Sequence, residues 1–169
     1  MNKHKFLVAF AGPVGSSKTP IAHYLSYNFG LPIYNNDATR TEVTEDLLSF
    51  DEEEYRKRRD SRIREIVEMG RPFILDASID REWKNYIADI NKSGYEVFII
   101  SLDLSKEFLL KLYKSKGYNE VYDLVDEFLK DHENFLIKFG KDVSVHITDK
   151  NFKMRLKLSA EKLREWLKL

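Results

Sequence analysis

An unbroken apolar hexapeptide, Phe6, Leu7, Val8, Ala9, Phe10 and Ala11, runs directly into Gly12-Pro13-Val14-Gly15-Ser16-Ser17-Lys18-Thr19-Pro20. A strand that is apolar on both faces needs cover on both, the condition at the centre of a parallel sheet with helices above and below. Lys3 and Lys5 ahead of it superficially copy a secretory signal. The apolar run is shorter than the roughly 7–15 residues such a signal uses, and it stops at Gly12-Pro13. No later stretch reaches the roughly 18 apolar residues of a membrane span, so a buried strand of a soluble, cytoplasmic protein is expected.

Behind this strand the hydrophobic period changes. Ile21, Leu25 and Phe29 recur every fourth position and Gly30 follows, which predicts a helix of about three turns. Residues 31–34 read as a short second strand. Asp51, with a carboxylate three residues on, opens a helix that should run to Gly70. Residues 71–76 and 95–102 read as the third and fourth strands. Trp83, Ile87 and Ile90 mark a helix between those two, stopped by Gly94. Ser105 can cap the next helix, a long amphipathic helix is expected over 121–139, and Val143, Val145 and Ile147 alternate as a fifth strand. Ser159 is the expected cap of a final helix carrying Leu163, Trp166 and Leu167. Strands alternating with helices predict a three-layer α/β sandwich around a five-stranded parallel sheet, with right-handed crossovers. At 169 residues, one domain covering 1–169 is expected, with a small lid near 110–122.

The segment 12–19 falls between strand and helix, where a phosphate loop must lie, and it is not the G-x-G-x-x-G of a dinucleotide site. Small residues let successive backbone N–H groups curl around a polyphosphate, and the helix N-terminus adds favourable partial charge. Lys18 can reach the β and γ oxygens and Thr19 can ligate Mg²⁺. Two departures stand out. Ser17 occupies the position of the usual second glycine; a left-handed backbone there costs about 1–2 kcal/mol. Pro20 fits a first helical turn but has no N–H, which removes one phosphate contact.

With the loop in place, the chain resembles the P-loop kinases of the adenylate-kinase-like group, in particular the small zeta-toxin-like and polynucleotide-kinase-like enzymes. Their second strand ends in S-x-D-x-x-R, and Asn35-Asn36-Asp37-Ala38-Thr39-Arg40 spaces Asp and Arg the same way. Their third strand ends in an aspartate followed by a small residue, matched by Phe73-Ile74-Leu75-Asp76-Ala77-Ser78. The likeness spans nearly the whole chain, most strongly 6–40 and 71–102, and by layout only in the last third. It implies a nucleoside-triphosphate-binding fold using ATP and Mg²⁺, with the cofactor on residues 12–20, from Gly12 to Pro20, and the metal on Thr19 and Asp76. Lys18, Asp37 and Arg40 would then be catalytic, Asp37 as base or acceptor-orienting group and Arg40 as a clamp on acceptor or phosphate. Each has a plainer reading: Asp37 as a cap for the Thr39 or Arg40 amides, Asp76 as a strand-end cap, Arg40 as a surface residue. The family's lid carries arginines. Here the corresponding stretch has Lys111, Lys114 and Lys116 and no arginine, so it lacks a planar fork for developing charge.

Composition narrows the remaining options. There are no cysteines, which excludes disulfides and thiolate chemistry and suits a reducing cytosol. Acidic and basic residues balance at 28 each, so no global field recruits nucleic acid or an anionic membrane. One dense basic run, Arg56, Lys57, Arg58, Arg59, Arg62 and Arg64, could contact a phosphorylated or nucleic-acid acceptor. Glu52, Glu53 and Glu54 precede its first members by four residues, which favours a solvated, ion-paired helix face instead. The segment 148–151 lies where this fold often holds a base. His4, His23, His132 and His146 have no metal-like spacing and read as structural or surface residues. The expected function is transfer of the ATP γ-phosphate to a hydroxyl of a small molecule, nucleotide or polynucleotide. The alternative is a nucleotide-binding switch without a separate acceptor.

Overall fold

A computed structural model of the chain describes residues 5–82 and 88–169. Trp83 and Ile87 of the expected helical stripe, and His4 and Lys3, lie outside the described residues. Five strands form one sheet in the order β2-β3-β1-β4-β5: β1 (Phe6–Ala11), β2 (Ile33–Asn35), β3 (Phe73–Ser78), β4 (Glu96–Asp103) and β5 (Val145–Thr148). Every pairing is parallel. The helices are α1 (Lys18–Phe29), α2 (Asn36–Leu47), α3 (Glu52–Glu68), α4 (Ala88–Lys92), α5 (Lys106–Lys116), α6 (Val125–Phe139) and α7 (Arg155–Leu167).

β1 is the central strand, and all of it is buried. Phe6, Val8 and Phe10 point into one core with Ile21 and Leu25 of α1 and Ala160 and Leu163 of α7. Leu7, Ala9 and Ala11 face the other, with Ile63 of α3 and Phe135 of α6. The period-two alternation of a strand thus serves two apolar layers at once, which is why the sequence shows no polar face. The three-layer sandwich follows the expectation. Because all strands run the same way, the loops after β1, β2 and β3 emerge at one edge, where ligands collect in open α/β sheets.

Several elements differ from the sequence expectation. Residues 36–47 form a helix, α2, where a loop motif was expected; Asn35 caps it by accepting from the Asp37 and Ala38 amides at 2.7 and 3.1 Å. Asn35 is thus the N-cap, and Asp37, read in the alternative as a cap for the Thr39 or Arg40 amides, stands instead in the first turn of the helix. The helix expected over 121–139 begins with a 3₁₀ segment, Asn119–Leu124, before α6. Ser159 does not cap: it lies inside α7, fully buried, with its hydroxyl unpartnered among the described residues. Asp51 and Ser105 do cap α3 and α5, accepting from Glu54 N and Phe108 N. The basic run on α3 is ion-paired: Arg56 with Glu52, Arg58 with Glu54, Glu42 and Asp46, and Arg62 with Glu42. Arg62 and Arg58 hold the Glu42 carboxyl down at about 2.

Candidate active site

The loop between β1 and α1 is shaped by where its backbone must go. Gly12 (φ 139°) and Gly15 (φ 73°) occupy conformations that L side chains rarely adopt. A Cβ on Gly15 would also stand 2.5 Å from Tyr113 Cε1 of α5. Ser17 is left-handed as well, at φ 83° and ψ 36°, so the serine carries the expected strain. It stands at the N-cap of α1 yet its side chain makes no cap bond to the first-turn amides.

The loop's carbonyls are claimed from outside. Lys18 Nζ donates to Gly12 O at 2.9 Å and Pro13 O at 2.6 Å. Tyr113 Oη donates to Val14 O at 2.7 Å, and Lys116 Nζ to Gly15 O at 2.6 Å. In a planar trans peptide the C=O and the following N–H point in opposite directions, so tying the Pro13 and Val14 carbonyls turns the Val14 and Gly15 amides the other way. Free amides, a helix N-terminus and a lysine fit a polyphosphate. Burial lowers Lys18 to about 8, against the pull of Asp80, Asp76 and Asp37.

Asp76, at the end of β3 and 7% exposed, accepts from Thr19 Oγ1 at 3.2 Å and from Asn35 Nδ2 at 2.9 Å. Burial raises its carboxyl above the usual range, against the Thr19 and Asn35 hydrogen bonds and the Lys18 charge. A hydroxyl and a carboxylate at hydrogen-bond distance can share one hard cation. Among the described residues no group of three or more His, Asp or Glu could hold a metal. Such a pair suits Mg²⁺, which keeps several waters and takes its other ligands from phosphate.

A cleft of about 740 Å³ joins these parts, lined by Ser17, Lys18, Thr19, Asp76, Asp37 and Arg40 among others. Asp37 sits in the first turn of α2, directly after β2. Arg40 lies over Phe50 at 4.4 Å and Tyr55 at 4.6 Å, and it pairs with no carboxylate among the described residues. All the sequence-selected catalytic and metal residues therefore reach one cleft, with Val14, Gly15 and Pro20 on its wall. Gly12, Pro13 and Ser16 do not line the cleft; they hold the loop's shape and the Lys18 ammonium behind it. Of the lid lysines, Lys116 reaches the loop, whereas Lys111 pairs with Glu107 on the outer side. The segment 148–151 is occupied internally, Asp149 accepting from Ser105 N and Oγ and Asn151 bonding Thr148 N.

Solved structures share this fold. The chain matches a gluconokinase from Sinorhizobium meliloti 1021 with a TM-score of 0.66 over 98% of this chain and 95% of that one, at 15% identity. It matches the Deinococcus radiodurans tunicamycin resistance protein with a TM-score of 0.67, over 96% and 95%, at 15% identity. A Mycobacterium tuberculosis APS kinase in complex with AMPPNP and APS aligns with a TM-score of 0.62, over 98% and 96%, at 15% identity. The fold is that of the P-loop kinases. No protein-family model matches the sequence, and no curated protein matches it.

Within this P-loop kinase fold, several contacts were not visible in the sequence. Arg155, opening α7, donates through Nε to Ser17 Oγ at 3.2 Å. Asp80, just after β3, accepts from Gly12 N at 3.0 Å and meets His132 Nδ1 at 3.2 Å. His132 Nε2 lies 2.9 Å from Asp103, whose other oxygen meets His146 at 2.5 Å. His132 is 4% exposed; burial alone would lower it, but the Asp103 and Asp80 hydrogen bonds outweigh burial and hold it at about 9. His132 is structural, as its spacing implied, but it is structural to the loop. These partners lie 29 to 138 residues apart, so no local pattern announces them.

Proposed function

We propose that the chain is an ATP-dependent phosphotransferase that moves the γ-phosphoryl group to a hydroxyl of a small molecule. The observation that carries this is the cleft whose wall brings together a phosphate loop, the hydrogen-bonded Thr19 and Asp76, and, separately, Asp37 and Arg40. A nucleotide switch needs the first two and has no use for the third. The neighbours named as gluconokinase and APS kinase support a small-molecule acceptor. The ion-paired face of α3 argues against a nucleic-acid surface there.

The loop amides and Lys18 hold the triphosphate, and Thr19 and Asp76 hold Mg²⁺. Mg²⁺ held by these two residues would supply neutralisation of phosphate charge. Arg40, lying against the Phe50 and Tyr55 rings, orients the acceptor, and Asp37 accepts its hydroxyl proton. The acceptor oxygen bonds to the γ-phosphorus as the bond to the β–γ bridging oxygen breaks, leaving ADP. The C-terminal end of α5 and the following 3₁₀ segment serve as the lid, since Lys116 and Tyr118 already wall the cleft.

Calorimetric titration with Mg-ATP and Mg-GTP, followed by ATP consumption across a panel of hydroxylated acceptors, tests this. Lys18→Ala should lose nucleotide affinity. Asp37→Asn should keep it and lose roughly 10²–10⁴-fold in turnover. Failure of the wild-type protein to bind either nucleotide overturns the reading.

A further inference from the structure

Three cations converge on the phosphate loop: Lys18, Lys116 and Arg155. Carboxylates face only the first. Lys116 meets the Gly15 carbonyl and the Tyr118 ring at 5.6 Å, and it is held below its usual range by burial and by the Arg155 charge. Arg155 is half-buried and makes no ion pair among the described residues. Its guanidinium lies over the Phe152 ring at 4.2 Å, donating to Phe152 O at 3.1 Å and to Ser17 Oγ at 3.2 Å. Those contacts use Nε and one side of Nη1, so the rest of the planar fork has no acceptor among the described residues. Burial lowers the Arg155 guanidinium, with no carboxylate to offset it. Lys116 and Arg155 thus stand at the loop with no carboxylate partner among the described residues, an arrangement that favours an anion beside them.

The Arg155 anchor explains the serine in the loop. The Ser17 hydroxyl is at the N-cap of α1 but accepts from Arg155 instead of capping the helix. Pro20 follows Ser17 by three residues in the first turn of α1 and has no N–H, so the Arg155 guanidinium stands beside a helix end that is short of one donor. We propose that Arg155 is a phosphate-binding residue of the nucleotide site, supplying from α7 the donors that Pro20 removes and the arginine that the lid lacks. This rests on the nucleotide-binding reading above. Ser17 is then the guanidinium's anchor, tolerated in a left-handed backbone for that reason.

Affinities of Mg-ATP and of inorganic tripolyphosphate, measured for wild type, Arg155→Ala, Arg155→Met, Arg155→Lys and Lys18→Ala, decide the matter. Methionine keeps much of the stem packing over Phe152, and melting curves confirm that each variant is folded. Arg155→Ala and Arg155→Met should weaken both ligands by a similar factor, about ten- to a hundredfold, with lysine recovering only part. Loss confined to ATP, with tripolyphosphate unchanged, assigns Arg155 to the base and overturns the phosphate role. Unchanged affinity for both ligands, where Lys18→Ala is impaired, overturns the proposal and leaves the nucleotide reading standing. If wild type binds neither ligand, the nucleotide reading itself fails.

Discussion

Stability should fall as pH rises from neutral, and His132 is the cause. Its folded-state pKa of about 9 stands above an ordinary 6.5, because Asp80 and Asp103 grip the imidazolium from both ring nitrogens. A group whose pKa is raised on folding contributes fully below the unfolded value and loses that contribution as pH climbs through the folded one. At about 1.4 kcal/mol per pKa unit the whole effect is about 3 kcal/mol, of which about 2 kcal/mol is lost between pH 6.5 and 8. Lys18 works the other way. Lowered to about 8 from 10.5, its penalty fades as pH rises between those values, by an amount reduced because water reaches the cleft. The two oppose each other between 8 and 9, so the stability curve has its minimum there. For a chain of this length about 2–4 °C of melting temperature accompanies each kcal/mol, so about 4–8 °C should be lost between pH 6.5 and 8. Circular dichroism melts in phosphate-free buffers measure this, with His132→Gln and His146→Gln as the variants. His132→Gln should melt lower at pH 6.5 and show little further loss to pH 8, while His146→Gln keeps the slope. A wild-type melting temperature that is level across that range, or a slope that survives in His132→Gln, refutes the reasoning.

Other outcomes follow from particular contacts. Ser159→Ala should raise stability by about 1 kcal/mol, since it removes a buried hydroxyl that has no partner among the described residues; denaturant titration reads the change directly. Gly15→Ala should abolish nucleotide binding, because its Cβ would collide with Tyr113 in a backbone already at positive φ; calorimetry checks it. Asp76→Asn should leave metal-free ATP affinity largely intact while removing the gain from Mg²⁺, seen by titrating with and without chelator. Arg40→Ala should raise the acceptor KM far more than the KM for ATP in steady-state kinetics.

The strands were legible because burial on two faces leaves continuous apolar runs, and the loop because it sits at a strand-to-helix junction. α2 was hidden: only Thr39 and Val43 of its residues are buried, so no apolar stripe advertises a helix. Ser159 looked like a cap because serine favours that position, yet Phe152–Met154 carries the chain into α7 as a 3₁₀ turn with no side-chain cap. In the candidate site, Lys18, Thr19, Asp37 and Asp76 follow from motif and strand position. Asp80, His132 and Arg155 depend on which distant elements the sheet order brings together, and spacing along the chain carries no trace of that.

The place of β1 in the sheet has a mechanical meaning. Its hydrogen-bonded neighbours are β3 on one side and β4 on the other, and no residue of it reaches solvent appreciably. Its amides should exchange with deuterium only when the whole protein unfolds, so the phosphate loop hangs from the stretch least able to open locally. The other half of the cleft hangs from β2, a three-residue edge strand. Breathing of the native state is thereby directed to the half of the cleft that carries Asp37 and Arg40, while the loop from Gly12 to Thr19 keeps its shape.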